Sequence, residues 1–179
     1  RSSAASDVYK RQERADEPGD SQWAELREAQ RQTALYYDNV GMAVTIDIGD
    51  MNDIHPKNKQ EVGRRLALLA RADTYGERIV CSGPVYQTYR VKGDRVILSF
   101  ECADGGLKTS DGKKMTGFAI AGIDGKYHWA EAEICGNEII VSSEMVKHPL
   151  TVRYGWGDNP TCNLINGAGL PASSFQTLR

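Results

Sequence analysis

The spacing of turn-forming residues divides this chain into two parts that fold differently. From Tyr75 to the C-terminus, turn signals recur roughly every eight to twelve residues, as in all-β proteins. Lys92-Gly93-Asp94 separates VYQTYRV from RVILSF, and Asp124-Gly125 separates GFAIAGI from KYHWAEAEI. An Asp-Gly step between two alternating runs is a strong hairpin signal. Residues 75–179 are therefore predicted to form an antiparallel β-sandwich, with one or two further strands in the tail after His148.

Residues 21–74 follow a different pattern of helix, strand, loop and helix. Ser21 is placed to cap a helix from about Gln22 to Tyr36. The following run, GMAVTIDI (residues 41–48), is apolar on both faces, which is typical of a buried parallel strand. The helical spacing predicts that one face of the first helix is buried, formed by Trp23, Leu26, Gln30 and Ala34.

A second helix is predicted from about Lys57 to Ala72, with Pro56 as its first residue. Its expected buried stripe consists of Val62, Leu66 and Leu69, and three arginines are expected mostly outside that stripe: Arg64, Arg65 and Arg71. One strand cannot form a parallel sheet by itself, so these residues read as one unit of a larger α/β layer. The predicted fold class is therefore α/β plus all-β.

Charge and hydropathy exclude two classes of partner. The chain has 22 basic and 24 acidic residues and a net charge of -2, which argues against nucleic-acid binding through a basic surface. No apolar run approaches the roughly 20 residues that a membrane helix needs. Residues 1–20 are polar and lack the apolar core of a signal peptide, so we expect a disordered tail. Arg1 to Gln12 resembles a translated cloning adapter, which predicts a truncated chain.

The four cysteines lie far apart, at Cys81, Cys102, Cys135 and Cys162. They form no CxxC pair, which argues against a zinc site or a thioredoxin-like motif. An even count permits two disulfides in an oxidising compartment. The interpretation favoured by their positions in predicted strands is that they are small core residues. The sequence leaves their redox state open.

The strongest chemical signal is the loop Asp50-x-x-Asp53-Ile54-His55-Pro56. It follows the predicted strand at its carboxyl end, where ligands bind in open α/β sheets. A nearby carboxylate can accept one imidazole N–H, which fixes the tautomer and leaves the other nitrogen free to act as a base. The alternative from these residues alone is a surface loop whose histidine caps the next helix, and it carries at least equal weight.

Several long stretches resemble one family in the same order along the chain. They are TIDIGDMNDIHPKNKQEVGRRLALLA, YGERIVCSGPVYQTYRVKGDRVILSFECADGGL, GFAIAGIDGKYHWAEAEI and VRYGWGDNPTCNLINGAGLPASSF. Together they resemble the sialate O-acetylesterases, carbohydrate esterases of the SGNH (GDSL-like) type, over nearly everything from Trp23 to Phe175. The resemblance implies that residues 21–74 are the C-terminal piece of a three-layer α/β/α catalytic domain.

The resemblance also implies an activity and a set of roles. It implies a serine esterase that removes O-acetyl groups from sialic acid or related sugars through an acyl-enzyme, with no metal or organic cofactor. Carried over by position, His55 is the catalytic base, Asp53 its acid partner and Asp50 the reserve. The common family pattern places the acid three residues before the histidine, and Asn52 stands there. The family is typically exported, which implies a periplasmic or extracellular location.

The family's nucleophile is missing from this sequence. It belongs to a Gly-x-Ser-Asn-like turn after an early strand, and no such run occurs here. Gly19-Asp20-Ser21 spells GDS but follows no strand, and the other serines before His55 are Ser2, Ser3 and Ser6. The chain is therefore interpreted as the C-terminal fragment of an esterase. The alternatives are a non-catalytic carbohydrate-binding or structural β-module, and a fragment of an esterase for another glycan such as acetylated xylan.

Other chemistry-bearing residues give weaker signals. His128 alternates with Ala130, Ala132 and Ile134 and is expected in the core or between domains. His148 precedes a proline in a turn. Three aromatic residues could stack on sugar rings but are expected to be packing residues: Trp129, Tyr154 and Trp156.

Overall fold

The computed structural model describes residues 18–49, 55 and 57–177. Helix α1 spans Gln22–Tyr36, α2 spans Lys59–Leu69, and a π-helical turn over Ala70–Thr74 continues α2. Ser21 caps α1 as predicted, its Oγ accepting a hydrogen bond from the Ala24 N–H at 3.1 Å. Helix α2 begins at Lys59 rather than Lys57 because Asn58 is its cap. The predicted role of Pro56 lies outside the described residues.

Ten short strands follow the helices in the described residues. They are β1 (Val85–Lys92), β2 (Arg95–Glu101), β3 (Lys108–Thr109), β4 (Phe118–Ala121), β5 (Tyr127–Trp129), β6 (Glu131–Cys135), β7 (Glu138–Ser142), β8 (Thr151–Tyr154), β9 (Leu164–Ile165) and β10 (Phe175–Gln176). The hairpin predicted at Asp124-Gly125 is confirmed between β4 and β5. A second hairpin joins β1 to β2, where Gly93 takes the left-handed conformation that the tight turn requires, with φ of 63°. The tail contributes three strands, more than predicted.

The strands form two four-stranded antiparallel sheets and a two-stranded ribbon. The first sheet has the order β1-β2-β7-β6, the second has the order β10-β8-β4-β5, and β3 pairs with β9. Side chains from both larger sheets meet in one hydrophobic core, among them Leu98, Val141, Phe118, Val152 and Phe175. Two helices and mostly antiparallel sheets confirm the predicted class of an α/β plus β-rich fragment.

The run KYHWAEAEI was predicted as one strand, and this is wrong. The chain breaks at Ala130, so that β5 pairs with β4 in the second sheet and β6 pairs with β7 in the first. The Ala130 N–H donates to the Phe118 carbonyl at 3.1 Å, which marks the point where the chain crosses between sheets. The expected alternation therefore ends at the crossing, and Ile134 on β6 is 39% exposed.

The predicted strand over residues 41–48 is also absent. Residues 41–45 form no regular structure, and 46–48 form a turn and a bend. A strand exists only where a neighbour accepts and donates its backbone hydrogen bonds, and the described residues place no strand beside this run. The apolar pattern therefore marks a segment suited to a sheet that the described residues do not supply.

Helix α1 buries a different face from the one predicted, whereas the predicted stripe of α2, formed by Val62, Leu66 and Leu69, is partly buried. In α1 the buried residues are Ala24, Glu28 and Arg31, and Leu26 of the predicted face is 43% exposed. In α2 the one buried residue is Arg65, which was expected outside the stripe. The buried charges are paired, which makes their burial tolerable: Arg31 holds the Glu28 carboxylate through two hydrogen bonds of 2.8 Å. Within the described ranges, no helix has the length and apolar character required to cross a membrane.

Candidate active site

His55 lies on the surface immediately before α2. Its side chain is exposed, and the helix cap Asn58 follows it closely in sequence. The cap of α2 is therefore Asn58 and not His55. The carboxylates assigned as its partner, Asp53 with Asp50 in reserve, lie outside the described residues. The pairing of His55 with either of them stays a prediction.

The start of α2 is electrostatically well defined. The Asn58 Oδ1 accepts a hydrogen bond from the Glu61 N–H at 3.1 Å. The Glu61 carboxylate accepts hydrogen bonds from both Arg64 and Arg65, at 2.6 to 2.8 Å. The largest effect on the Glu61 carboxyl comes from its hydrogen bonds with Arg64. Together with the Arg65 hydrogen bond and the positive charges of both arginines, they outweigh desolvation and lower the pKa of Glu61 to about 2. Glu61 is therefore an anion at neutral pH, fixed one turn beyond the segment that carries His55.

An open cleft lies between the two helices. It has a volume of about 170 Å³ and is lined by Ala34 of α1, Val62 of α2 and the apolar stretch over residues 40–46. His55 is not among the lining residues. Two residues of the predicted face of α1, Gln30 and Ala34, line this cleft. Four exposed apolar side chains lie near it along the chain: Leu35, Tyr36, Tyr37 and Val40.

Helix α1 is tied to the β-sheets by polar contacts at the other side of this cleft. Arg27 donates to the Ser174 Oγ at 3.2 Å, to the Gly155 carbonyl at 3.1 Å and to the Gly157 carbonyl. The Ser21 hydroxyl donates to Asp158 at 2.7 Å. The helical segment and the β-sheets are therefore joined, and the cleft opens beside this junction.

The weaker candidates from the sequence differ in their burial. Tyr154 is fully buried, its hydroxyl accepting the Leu164 N–H at 3.0 Å, so it offers no face to a sugar. Trp156 is half-buried and covered by the Arg153 guanidinium, 4.7 Å from its ring centroid, and Trp129 is half-buried in β5. His128 is half-buried opposite Ile120 on an edge strand, and His148 is exposed.

The cysteines are unpaired, and the expectation that they are core residues is wrong for two of them. Cys102 and Cys135 are exposed, whereas Cys81 and Cys162 are partly buried. Burial raises the pKa of the Cys162 thiol to about 12, which makes it a poor nucleophile. Among the described residues, no group of three or more His, Cys, Asp or Glu side chains is arranged to hold a metal ion.

Comparison with known proteins adds one informative likeness. No family model matches the chain, and no curated protein matches it. Among solved structures, the chain is similar to a carbohydrate acetylesterase from Xanthomonas citri, with a TM-score of 0.84 and 46% sequence identity. The likeness covers 87% of this chain and 36% of that one, so this chain spans about a third of the Xanthomonas protein.

The sequence resembles sialate O-acetylesterases of the SGNH type. The structural likeness supports the broader part of that resemblance, which is the resemblance to a carbohydrate esterase. Sialic acid specificity and the SGNH assignment stay predictions. Sequence reasoning missed two features of the site, the open cleft and the set of hydrogen bonds made by Arg65. The Glu61 to Arg65 spacing was the one available signal for the second, since residues four apart on a helix are neighbours.

Proposed function

We propose that this chain is the part of a serine carbohydrate esterase that carries the catalytic base, His55. The observation that carries the proposal is the 46% identity, over 87% of this chain, to the Xanthomonas citri carbohydrate acetylesterase. The exposed position of His55 before α2 is compatible with that role, because a base must reach a group outside its own segment. The whole enzyme is longer than the sequence described.

In the proposed reaction, a serine supplied by another part of the enzyme attacks the acetyl carbonyl. His55 takes the serine proton as the bond forms and returns it to the sugar oxygen as the ester bond breaks. Water, deprotonated by His55, then attacks the acetyl-enzyme, which releases acetate and restores the serine. Asp53, or Asp50 in its place, accepts the second imidazole N–H and stabilises the imidazolium. No metal or organic cofactor takes part.

The cleft supports the requirement for a further part of the enzyme. Residues 41–48 have the composition of a buried strand and the described residues give them no strand partner, while Ala34 and Val62 face the same space. The side chains of Tyr36 and Tyr37 are 80% and 66% exposed, unusual for large aromatic residues. In this proposal the sheet that bears the nucleophile packs here, covers these apolar side chains and pairs with residues 41–48.

The proposed substrate is an O-acetylated sialic acid or a related acetylated sugar, and acetylated xylan is the competing substrate. The test is a chimera in which this chain replaces the aligned part of the Xanthomonas acetylesterase, called the chimera below. Acetate release from O-acetylated sialic acid and from acetylated xylan is compared at equal acetyl concentration. Faster release from sialic acid is expected. Preference for xylan would replace the sialate assignment while keeping the esterase.

Export to the periplasm or the extracellular space is part of the same proposal, because the resemblance implies it. Cell fractionation of the source organism with an antibody against this chain tests it. Recovery with periplasmic or secreted markers is expected, and recovery with cytoplasmic markers alone would contradict it.

A further inference from the structure

Arg65 is a buried cation that connects two separate segments of the chain. Its side chain is 5% exposed. The guanidinium donates to both carboxylate oxygens of Asp47, at 2.6 and 2.7 Å, and to the Val44 carbonyl at 2.6 Å. The Nε–H donates to Glu61 at 2.8 Å. The planar fork of an arginine suits this two-point contact with a carboxylate.

These contacts join the two ends of the segment that carries His55. Val44 and Asp47 lie before that segment, and Asn58 and Glu61 lie after it. Glu61 is bound to Arg65 through its carboxylate and to the Asn58 side chain through its backbone N–H. An unbroken chain of hydrogen bonds therefore runs from the entry of the segment through Arg65 to its exit. We call Arg65 with Asp47, Glu61 and the Val44 carbonyl the Arg65 clamp.

The charges of the clamp match one another. Desolvation disfavours the buried guanidinium, but the hydrogen bonds and charges of Asp47 and Glu61 outweigh it and raise the pKa of Arg65. Asp47 and Glu61 are only partly exposed, so neither carboxylate is fully screened by water. Arg65 is thus a permanent cation with anions on both sides of the segment. Removing it leaves the Val44 carbonyl and the Asp47 carboxylate without their buried donor.

We propose that Arg65 is a positioning residue that sets the location of His55 by holding both ends of its segment together. The proposal rests on the proposed function for its catalytic meaning, because the hydrogen bonds of Arg65 described above go to Val44, Asp47 and Glu61 and not to reacting atoms. The geometry of the clamp is independent of that function. The clamp predicts that His55 is displaced when Arg65 or Asp47 is changed, whether or not His55 acts as a base.

The experiment uses the 179-residue chain and the variants Arg65→Met, Asp47→Asn and Arg64→Met. Arg64 is the matched control, since it also binds Glu61 but is 49% exposed and has no hydrogen bond to Asp47 or Val44. NMR records the imidazole signals of the three histidines, and hydrogen exchange records the amides of residues 44–48 and 58–62. Arg65→Met and Asp47→Asn are expected to shift the His55 signals and to speed exchange at residues 44–48 about tenfold or more.

The signals of His128 and His148 are expected to stay in place in all three variants, and Arg64→Met is expected to leave His55 unchanged. Asp47→Asn keeps the size of the side chain, so it decides the matter if Arg65→Met fails to fold. Unchanged His55 signals and exchange in Asp47→Asn would overturn the proposal. An effect of Arg64→Met equal to that of Arg65→Met would also overturn it.

The consequence for catalysis is measured separately in the chimera. Arg65→Met is expected to lower kcat by about 10- to 100-fold with a much smaller change in KM, because a small displacement of a catalytic group has effects of this size. A rise in KM with an unchanged kcat would contradict a positioning role. If the His55 signals move but the chimera never depended on His55, the clamp stands and the proposed function fails. If the chimera depends on His55 and the His55 signals do not move, the proposed function stands and the clamp proposal fails.

Discussion

In the chimera, His55→Ala is expected to lower kcat/KM for an activated acetate ester by about 10³-fold. The expectation follows from the role of a general base, whose loss costs on the order of 10² to 10⁴ in rate. In the proposed mechanism the His55 imidazole takes the serine proton, and the described residues near the start of α2 offer no second imidazole in its place, since the polar side chains there are lysine, amide, carboxylate and guanidinium. The measurement is steady-state hydrolysis at neutral pH, with folding of each variant checked by circular dichroism.

His148→Ala is the matched control, because His148 is also an exposed histidine next to a proline and lies in a bend between β7 and β8, far along the chain. It is expected to change kcat/KM by no more than about twofold. Asp53→Asn and Asp50→Asn then assign the orienting carboxylate. The larger loss, expected for Asp53, identifies it, since an amide in this place stabilises the wrong imidazole tautomer. Equal rates for His55→Ala and His148→Ala would remove His55 from the mechanism.

Phe175→Ala is expected to destabilise the chain by about 3 to 5 kcal/mol, the range found when a fully buried phenylalanine is truncated. Phe175 is 1% exposed and lies between the two sheets. Its ring stacks on Tyr86 of the first sheet at 4.5 Å between centroids and on Tyr154 of the second sheet at 5.7 Å. Its neighbour Ser174 accepts the hydrogen bond from Arg27 that ties α1 to the sheets. The loss therefore opens a cavity where the sheets and the helical segment meet.

Urea denaturation, followed by tryptophan fluorescence, measures this change in the free energy of unfolding. Ile123→Ala is the control, since Ile123 is 94% exposed and its truncation is expected to change stability by less than about 0.5 kcal/mol. Similar midpoints for the two variants would mean that Phe175 is not at the centre of the packing described.

The parts of the fold that were predicted correctly from the sequence depend on local signals, such as a helix cap or a turn glycine. Ser21 satisfies an orphan N–H of α1 from one turn away, and Gly93 supplies the left-handed residue of the β1–β2 turn. The parts that were predicted wrongly depend on distant partners. Residues 41–48 have the composition of a strand, but a strand needs a neighbour. The break at Ala130 depends on Phe118 in another strand.

The residues of the candidate site also differ in how far a local sequence signal predicts them. The role of His55 was proposed from the resemblance of its loop to one family, and it stays a prediction. The clamp could not be predicted, because Asp47 and Arg65 are 18 residues apart. Arg65 was expected mostly outside the buried stripe of α2, and its burial is tolerable because carboxylates pair with it. A single sequence contains no signal for the pairing of Arg65 with Asp47.

The most direct test of the central claim compares the 179-residue chain with the chimera as catalysts. The claim is that this chain carries the base of an esterase whose nucleophile lies in another part of the enzyme. Hydrolysis of an activated acetate ester is measured for the chain, for its His55→Ala variant and for the chimera, at equal protein concentration. The account predicts that the chain is no faster than its His55→Ala variant and that the chimera turns over. Turnover by the chain alone, well above the His55→Ala variant, would contradict it.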